Sequence, residues 1–450
     1  MTSSGLLLLG AIAAGIAFIV VATTRWRMHP FLALLLTAIG VGLAAGLPLD
    51  RTVAALAGGF GRTVGAIGIV IACGCILGMA LERSGGAQVM ARAVLRLTGE
   101  KRAVLAMSGT GALVSVPVFC DSGFVILAPL AKSLARRTGE SLAAFAVALA
   151  MGLYATHCLV PPTPGPVATA GALGADLGAV ILLGLAVALP VVATTYLYAR
   201  WVGRRVALSP GEPPAAAAGQ SAAAPPGTAA TFLPVVLPVA LIALKSWVDA
   251  PSRPLGDGWV RQVLTALGDP SVALLLGVLA AWWVVRRFGR EAFGAWSGEG
   301  LRDAGTIILI TAAGGAFGGV LRETPLGPLV GSTLGQLRLG AFSLAVPFVI
   351  AAGLKTAQGS STVAMITTAG LVAPLLESFG LAAGHGPVLA TLAIAGGAMM
   401  VSHVNDSFFW VVTQLSGLSV AQGYRTVTAA SALAGLTALA AVLALGAVLL

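Results

Sequence analysis

Charged side chains are so sparse in this 450-residue chain that each one inside an apolar run marks a place where chemistry can occur. Asp121 is the only charged residue between Ala103 and Ala131, Lys355 the only one between Leu339 and Leu376, and Asp406 the only one between Gly386 and Tyr424. No Asp, Glu, Lys or Arg occurs from Ser141 to Ala175, which leaves His157 as the readily titratable group of that stretch. An ionisable group at membrane depth costs about 2.5–3.5 kcal/mol on insertion scales, and its default reading is functional. A carboxylate or an imidazole there can load and unload a proton. Asp121, His157, His403 and Asp406 are therefore the candidates for proton coupling. For Asp406 the competing reading is an N-cap, because Asn405-Asp406 is good capping chemistry. A lysine in the same setting pairs with an anion or snorkels to the surface. Lys355 is expected to meet a substrate carboxylate. The run QGSST (358–362) offers Gln358, Ser360, Ser361 and Thr362 at a helix start, where free N–H groups favour anions. Ser402 and Asn405 complete that polar set.

Two broken helices and two hairpins must bring these residues together. In YATHCLVPPTPGP (154–166), four of the six residues from Pro161 to Pro166 are proline, so a regular helix cannot continue. The stretch VSHVNDSFFW (401–410) again places Ser/Thr-His at the end of an apolar run. Freed carbonyls at membrane depth are tolerated only where the backbone is buried in protein or lines a cavity. The run 103–134 has basic clusters on both flanks: Arg83, Arg92, Arg96, Lys101 and Arg102 before it, Lys132, Arg136 and Arg137 after it. Basic flanks belong on the cytoplasmic side. One crossing cannot place both flanks inside, whereas a re-entrant hairpin can, with its tip at 118–124. The run 342–376 reads the same way, with its tip at 358–362.

Composition fixes the class. The chain is 58% hydrophobic and 9% charged, with mean hydropathy +0.96. Soluble domains carry about 25% charged residues, so this is an all-α polytopic membrane protein. The net charge of +10 belongs to basic cytoplasmic loops rather than to a nucleic-acid partner. Expected spans are 5–24, read as a retained span rather than a signal peptide, then 31–47, 63–81, the 103–134 hairpin, 142–160, 177–198, 231–248, 271–285, 306–321, the 342–376 hairpin, 387–402 and 427–450. In that topology 18 of the 26 basic residues lie inside and six outside, among the latter Arg62 and Arg322. Cys73, Cys75, Cys120 and Cys158 all lie in apolar runs and read as small buried hydrophobes.

A shift of 240 aligns Gly65 with Gly305, Gly74 with Gly314, Gly78 with Gly318 and Leu81 with Leu321. The aligned spans run in opposite directions, so the chain divides into an N-terminal transmembrane repeat (1–206), an Ala/Pro-rich cytoplasmic linker (207–230) and an inverted C-terminal repeat (231–450). Inverted-topology repeats with broken helices near the midplane mark secondary transporters. No phosphate loop, metal spacing or nucleophile elbow is present, so no metal or cofactor is expected, nor is ATP-driven transport. An intramembrane hydrolase using His and Asp is a second reading and a passive channel a third.

Four ordered stretches, PVFCDSGF (117–124), THCLVPPTPGP (156–166), KTAQGSSTVA (355–364) and SHVNDSFFW (402–410), resemble the signatures of the gluconate permease (GntP) family. The resemblance spans nearly the whole chain outside the linker. It implies an inner-membrane, proton-coupled importer of gluconate or related small hydroxy acids, with D-serine as an alternative. A small organic anion, a proton and the lipid bilayer are the implied partners, and a homo-oligomer is left open. Cys120 stands where the family usually has Phe, Thr163 where His is common, and Lys355 where Arg is common. All three lie at the expected site, so Thr163 joins the candidate substrate-binding residues.

Overall fold

The computed structural model describes residues 3–98, 102–210, 227–249, 258–325 and 340–450. Most of the linker lies outside the described residues, as do Lys101, Arg253 and Arg338. The described residues form helices without strands. Helices α1 (Ser3–Thr24) and α2 (Pro30–Ala44) pack together ahead of the first long helix, α3 (Leu49–Arg83). Then come α4 (Gly86–Thr98), α5 (Ala103–Val114), α6 (Cys120–Thr138), α7 (Leu142–Leu159), α8 (Pro164–Leu173) and α9 (Leu177–Arg205). The second half has α10 (Thr228–Val248), α11 (Trp259–Leu267), α12 (Pro270–Val285), α13 (Arg290–Arg322), α14 (Ala345–Gln358), α15 (Ser361–Val372), α16 (Gly386–Ala398) and α17 (Ser407–Ser416). A single turn, α18 (Val420–Gly423), and a π turn lead into α19 (Ala429–Leu449). Seven helices among the described residues are long and apolar enough to cross a membrane.

Several expected spans are longer than their apolar cores. The span expected at 63–81 begins at Leu49, and the one expected at 306–321 begins at Arg290. Polar residues such as Arg51, Arg62, Arg302 and Asp303 interrupt the hydropathy of these helices without interrupting their backbones. The amphipathic α11 has no counterpart among the expected spans. It meets α12 at a bend of 66°.

Both expected hairpins are present. The Thr156 hydroxyl bonds the Ala112 carbonyl at 2.8 Å, and Gly152 lies against the Ser108 carbonyl, so α5 runs parallel to α7. Gly123 abuts Leu153, and Thr138 ends α6 just before α7 begins, so α6 returns along α7 in the opposite direction. The break falls at 115–119 rather than at 118–124. Phe119 is extended and becomes the N-cap of α6, which places Asp121 in that helix's first turn. In the other half, Gly359 has φ +85 and closes α14 as a left-handed cap before α15.

Small residues set the close approaches between helices, as membrane packing requires. Gly59 of α3 meets Gly315 of α13, and Gly300 of α13 meets Cys75 and Ile76 of α3. The numbering falls on one helix as it rises on the other, so these two long helices are antiparallel. The contact of Gly152 with the Ser108 carbonyl recurs as Gly397 against the Phe348 carbonyl. These residues are separated by 245 and 240 positions in the sequence, close to the shift that aligns the halves.

Candidate functional site

The break after α7 and the α14–α15 tip free backbone carbonyls, and four of the residues singled out in the sequence answer them. At the end of α7, the Thr163 hydroxyl lies 2.8 Å from the carbonyls of both His157 and Val160. At the end of α14, Asn405 Nδ2 donates to the carbonyls of Thr356 and Ala357 at 2.9 and 3.1 Å. His403 Nε2 lies 2.9 Å from the Thr356 carbonyl. Lys355 Nζ donates to the Gly359 carbonyl. These are the last-turn carbonyls that a helix leaves without an internal partner.

Lys355 is fully buried and forms an ion pair with Asp406, Nζ to Oδ2 at 2.6 Å. Its ammonium also stands 5.9 Å from the centre of the Tyr154 ring. Ser402 Oγ donates to the same Asp406 oxygen. Asp406 Oδ1 accepts from the Phe408 N–H at 3.1 Å and caps α17. The N-cap reading of Asp406 and an electrostatic one therefore hold together. One carboxylate starts α17, neutralises Lys355 and ties the α14–α15 tip to the break before α17.

A cavity of 260 Å³ lies among the two hairpin tips and that break. Asp121, His157, Gln358, Ser360, Ser361, Thr362, Asn405 and Asp406 line it. Lys355, Thr163, Ser402 and His403 are not among its lining residues. Phe119, Cys120, Gly359, Ser407 and Phe408 also contribute to the wall. Of these five, only Cys120 is placed at the expected site by the sequence, and none is among the candidate binding or coupling residues. The available signal was position: Phe119 and Cys120 precede Asp121, Gly359 lies inside the tip sequence, and Ser407 and Phe408 follow the cap Asp406.

Three helices begin at this wall: α6 at Cys120, α15 at Ser361 and α17 at Ser407. Each N-terminus carries roughly +0.5 of an elementary charge and unpaired N–H groups. Ser360 Oγ caps α15 by accepting from the Val363 N–H at 3.3 Å. Asp121 Oδ1 accepts from Ser407 Oγ at 3.4 Å, and no basic side chain pairs with Asp121 among the described residues. His157 Nδ1 and both side-chain polar atoms of Gln358 are buried without a hydrogen-bond partner among the described residues. Buried polar atoms are satisfied in the great majority of cases. All three atoms belong to residues that line the cavity. No cluster of His, Cys, Asp and Glu suited to a metal ion occurs among the described residues.

The chain resembles known transporters over its whole length. It is 36% identical to a gluconate permease of Pseudomonas aeruginosa, an alignment that covers 100% of this chain and 99% of the relative. It is 34% identical to the inner membrane permease YgbN of Escherichia coli, with 94% and 95% covered. It is 32% identical to the D-serine transporter DsdX of Escherichia coli, again with 94% and 95% covered. The crystal structure of the Alcanivorax borkumensis YdaH transporter shares the fold, with TM-score 0.66 at 17% identity, over 93% of this chain and 98% of that one. Neisseria gonorrhoeae MtrF has the same TM-score, 0.66, at 18% identity, with 89% of this chain and 85% of that one covered. The model of the GntP family permease matches residues 6–448. The cavity belongs to a transporter rather than an enzyme, and the chain is a member of the GntP permease family.

Proposed function

We propose that this permease is a multi-pass protein of the bacterial inner membrane that imports gluconate or a related small hydroxy-carboxylate together with protons. The observation that carries the reading is the convergence, among the described residues, of three helix N-termini and three unpartnered polar atoms on a cavity that also holds a carboxylate with no cationic partner there. The start of α15 at Ser360, Ser361 and Thr362 would hold the substrate carboxylate. Gln358 and Asn405 would meet its hydroxyls. Asp121 would carry the proton, with His157 beside it. Lys355 cancels the charge of Asp406, so that Asp121 alone opposes an incoming anion. Thr163, Ser402 and His403 hold the broken backbone that shapes the cavity.

The antiparallel pairing of α3 and α13 supports two inverted repeats. D-serine is the second substrate reading. The Asp121 carboxylate favours it, since it could meet the ammonium of an amino acid, and one relative is a D-serine transporter. The test is uptake by proteoliposomes bearing an inward proton gradient, across aldonates, glycerate, hydroxybutyrate and D-serine. At least one of these acids should accumulate above its external concentration and should stop accumulating when the gradient is collapsed. Accumulation that ignores the proton gradient would refute the coupling.

A further inference from the structure

A second cavity, of 330 Å³, has no part in the site just described. Gly59, Arg62 and Thr63 of α3, Arg322 of α13, and the C-terminal ends of α8 and α15 line it. None of its lining residues is acidic. Arg62 and Arg322 are exposed, and neither makes a hydrogen bond or an ion pair among the described residues. Two guanidinium groups thus share one Gly-lined hollow with no acidic side chain among its described lining residues, and the partial negative charge of the helix C-termini there offsets them only in part.

Its place in the fold gives it a role. Helices α8 and α15 lie side by side and parallel. At their starts, a Cβ on Gly165 would stand 3.9 Å from Thr362 Cα and 3.0 Å from Met365 Sδ. At their ends, Gly174 and Ala373 line the second cavity together. Thr362 is in the wall of the central cavity. The two cavities therefore sit at opposite ends of one helix seam, about 15 Å apart over the ten residues of α8. The buried Met365 fills the seam between them.

The faces of the molecule follow from α9. It starts three residues after Gly174 and ends at Arg205, where Ser141 Oγ, just beyond α6, donates to the Val206 carbonyl at 2.6 Å. Its 29 residues span about 43 Å. The arginine cavity is thus on the face opposite Arg136, Arg137, Arg200, Arg204 and Arg205. That basic face is the cytoplasmic one, which leaves the arginine cavity outside.

We propose that the Arg62/Arg322 cavity is an outer vestibule that captures small carboxylate anions before they pass along the α8/α15 seam to the central cavity. This rests on the import reading above. Paired cations in a hollow with low-dielectric walls raise the local concentration of an anion and its rate of arrival, and salt weakens the effect.

The experiment uses charged thiol reagents on right-side-out membrane vesicles. Ala172 lines the vestibule, and the four native cysteines are buried, so Ala172→Cys adds one accessible thiol and the parent protein supplies the background. At low salt an anionic methanethiosulfonate should label it about tenfold or more faster than a cationic one. High salt should shrink that ratio. Arg62→Gln/Arg322→Gln should abolish it, while Arg62→Lys/Arg322→Lys should keep it. Equal rates for the two reagents, or a preference that survives the Gln pair, would overturn the proposal. So would labelling only in inside-out vesicles. In uptake assays the Gln pair should raise KM several-fold and remove its salt dependence, with the equilibrium Kd of the central cavity unchanged. A Kd raised as much as KM would show that the arginines hold the fold instead of gathering the anion. If the parent protein accumulates none of the carboxylates tested, the import reading fails while the thiol result still decides whether the hollow attracts anions.

Discussion

Replacing Asp121 by Asn should separate substrate binding from its dependence on protons. The substitution keeps the size of the side chain and an oxygen that can accept the Ser407 hydroxyl, which lies 3.4 Å from Asp121 Oδ1. What it removes is a charge and a titration. A sphere of 260 Å³ is about 8 Å across, so a bound carboxylate and the Asp121 carboxylate are held on the order of 6 Å apart. At an effective dielectric constant of about 20, two like charges at that distance repel by about 3 kcal/mol. That is about a hundredfold in affinity. In the parent protein the apparent Kd should therefore rise by about a hundredfold as pH rises through the titration of Asp121. In Asp121→Asn it should stay flat, near the low-pH value. Linkage is reciprocal, so the bound anion favours the bound proton by the same factor. That mutual preference is what lets a proton gradient drive accumulation.

Two assays report on it. Equilibrium binding to purified protein across pH reads the affinity term. Proteoliposome uptake with an imposed inward proton gradient, beside equilibrium exchange without one, reads the coupling. Asp121→Asn should bind and exchange substrate yet fail to concentrate it. If it concentrates substrate as the parent does, Asp121 is a structural element of the α6 start. His157, whose Nδ1 has no partner among the described residues, then becomes the coupling group.

Lys355→Ala should destabilise the fold by about 3–5 kcal/mol, because it strands the buried Asp406 charge. Lys355→Ala/Asp406→Asn should recover much of the lost melting temperature in detergent. If that double variant is stable but has lost about 2–5 kcal/mol of substrate affinity, Lys355 also acts on the substrate carboxylate. Gly359→Ala forces a side chain into φ +85 and against the Asn405 carbonyl. The conformation alone costs about 1–2 kcal/mol, so binding titrations should show a displaced α15 start as weakened substrate affinity, and wild-type affinity would contradict the placement of that tip. Replacing 207–230 with a Gly/Ser sequence of equal length should leave uptake intact. Loss of transport by a normally inserted protein would give that segment a specific role.

The architecture was legible wherever one physical rule dominates. Long apolar runs announced the spans, and prolines at 161–166 announced the break after α7. Basic flanks on both sides of 103–134 announced a hairpin, because one crossing cannot satisfy them. Helix ends were less legible. Hydropathy reports only the apolar core of a helix such as α3, whose first turns carry Asp50 and Arg51 and yet remain helical. The hairpin tip was misplaced by a few residues for a related reason. Extended backbone at Phe119 is a local property, and the apolar sequence around it does not encode it strongly.

Partner choice was hidden for a different reason. Lys355 and Asp406 are 51 residues apart, and isolation in an apolar run is the same signal for a residue that awaits a ligand as for one whose partner arrives from another helix. The breaks themselves resolve the ambiguity. Each freed carbonyl needs a donor, and donors nearby in the folded chain are consumed first. Thr163 contacts freed carbonyls at the break after α7, His403, Asn405 and Lys355 contact those at the α14–α15 tip, and Ser402 is held by Asp406. His157 Nδ1 and the Gln358 amide remain unclaimed among the described residues. A polar residue in a broken-helix motif is thus a ligand candidate only after the carbonyl accounting is complete. That order of reasoning moves weight from the lysine, which the sequence made conspicuous, to a glutamine and a histidine that line the cavity and keep polar atoms without a partner among the described residues.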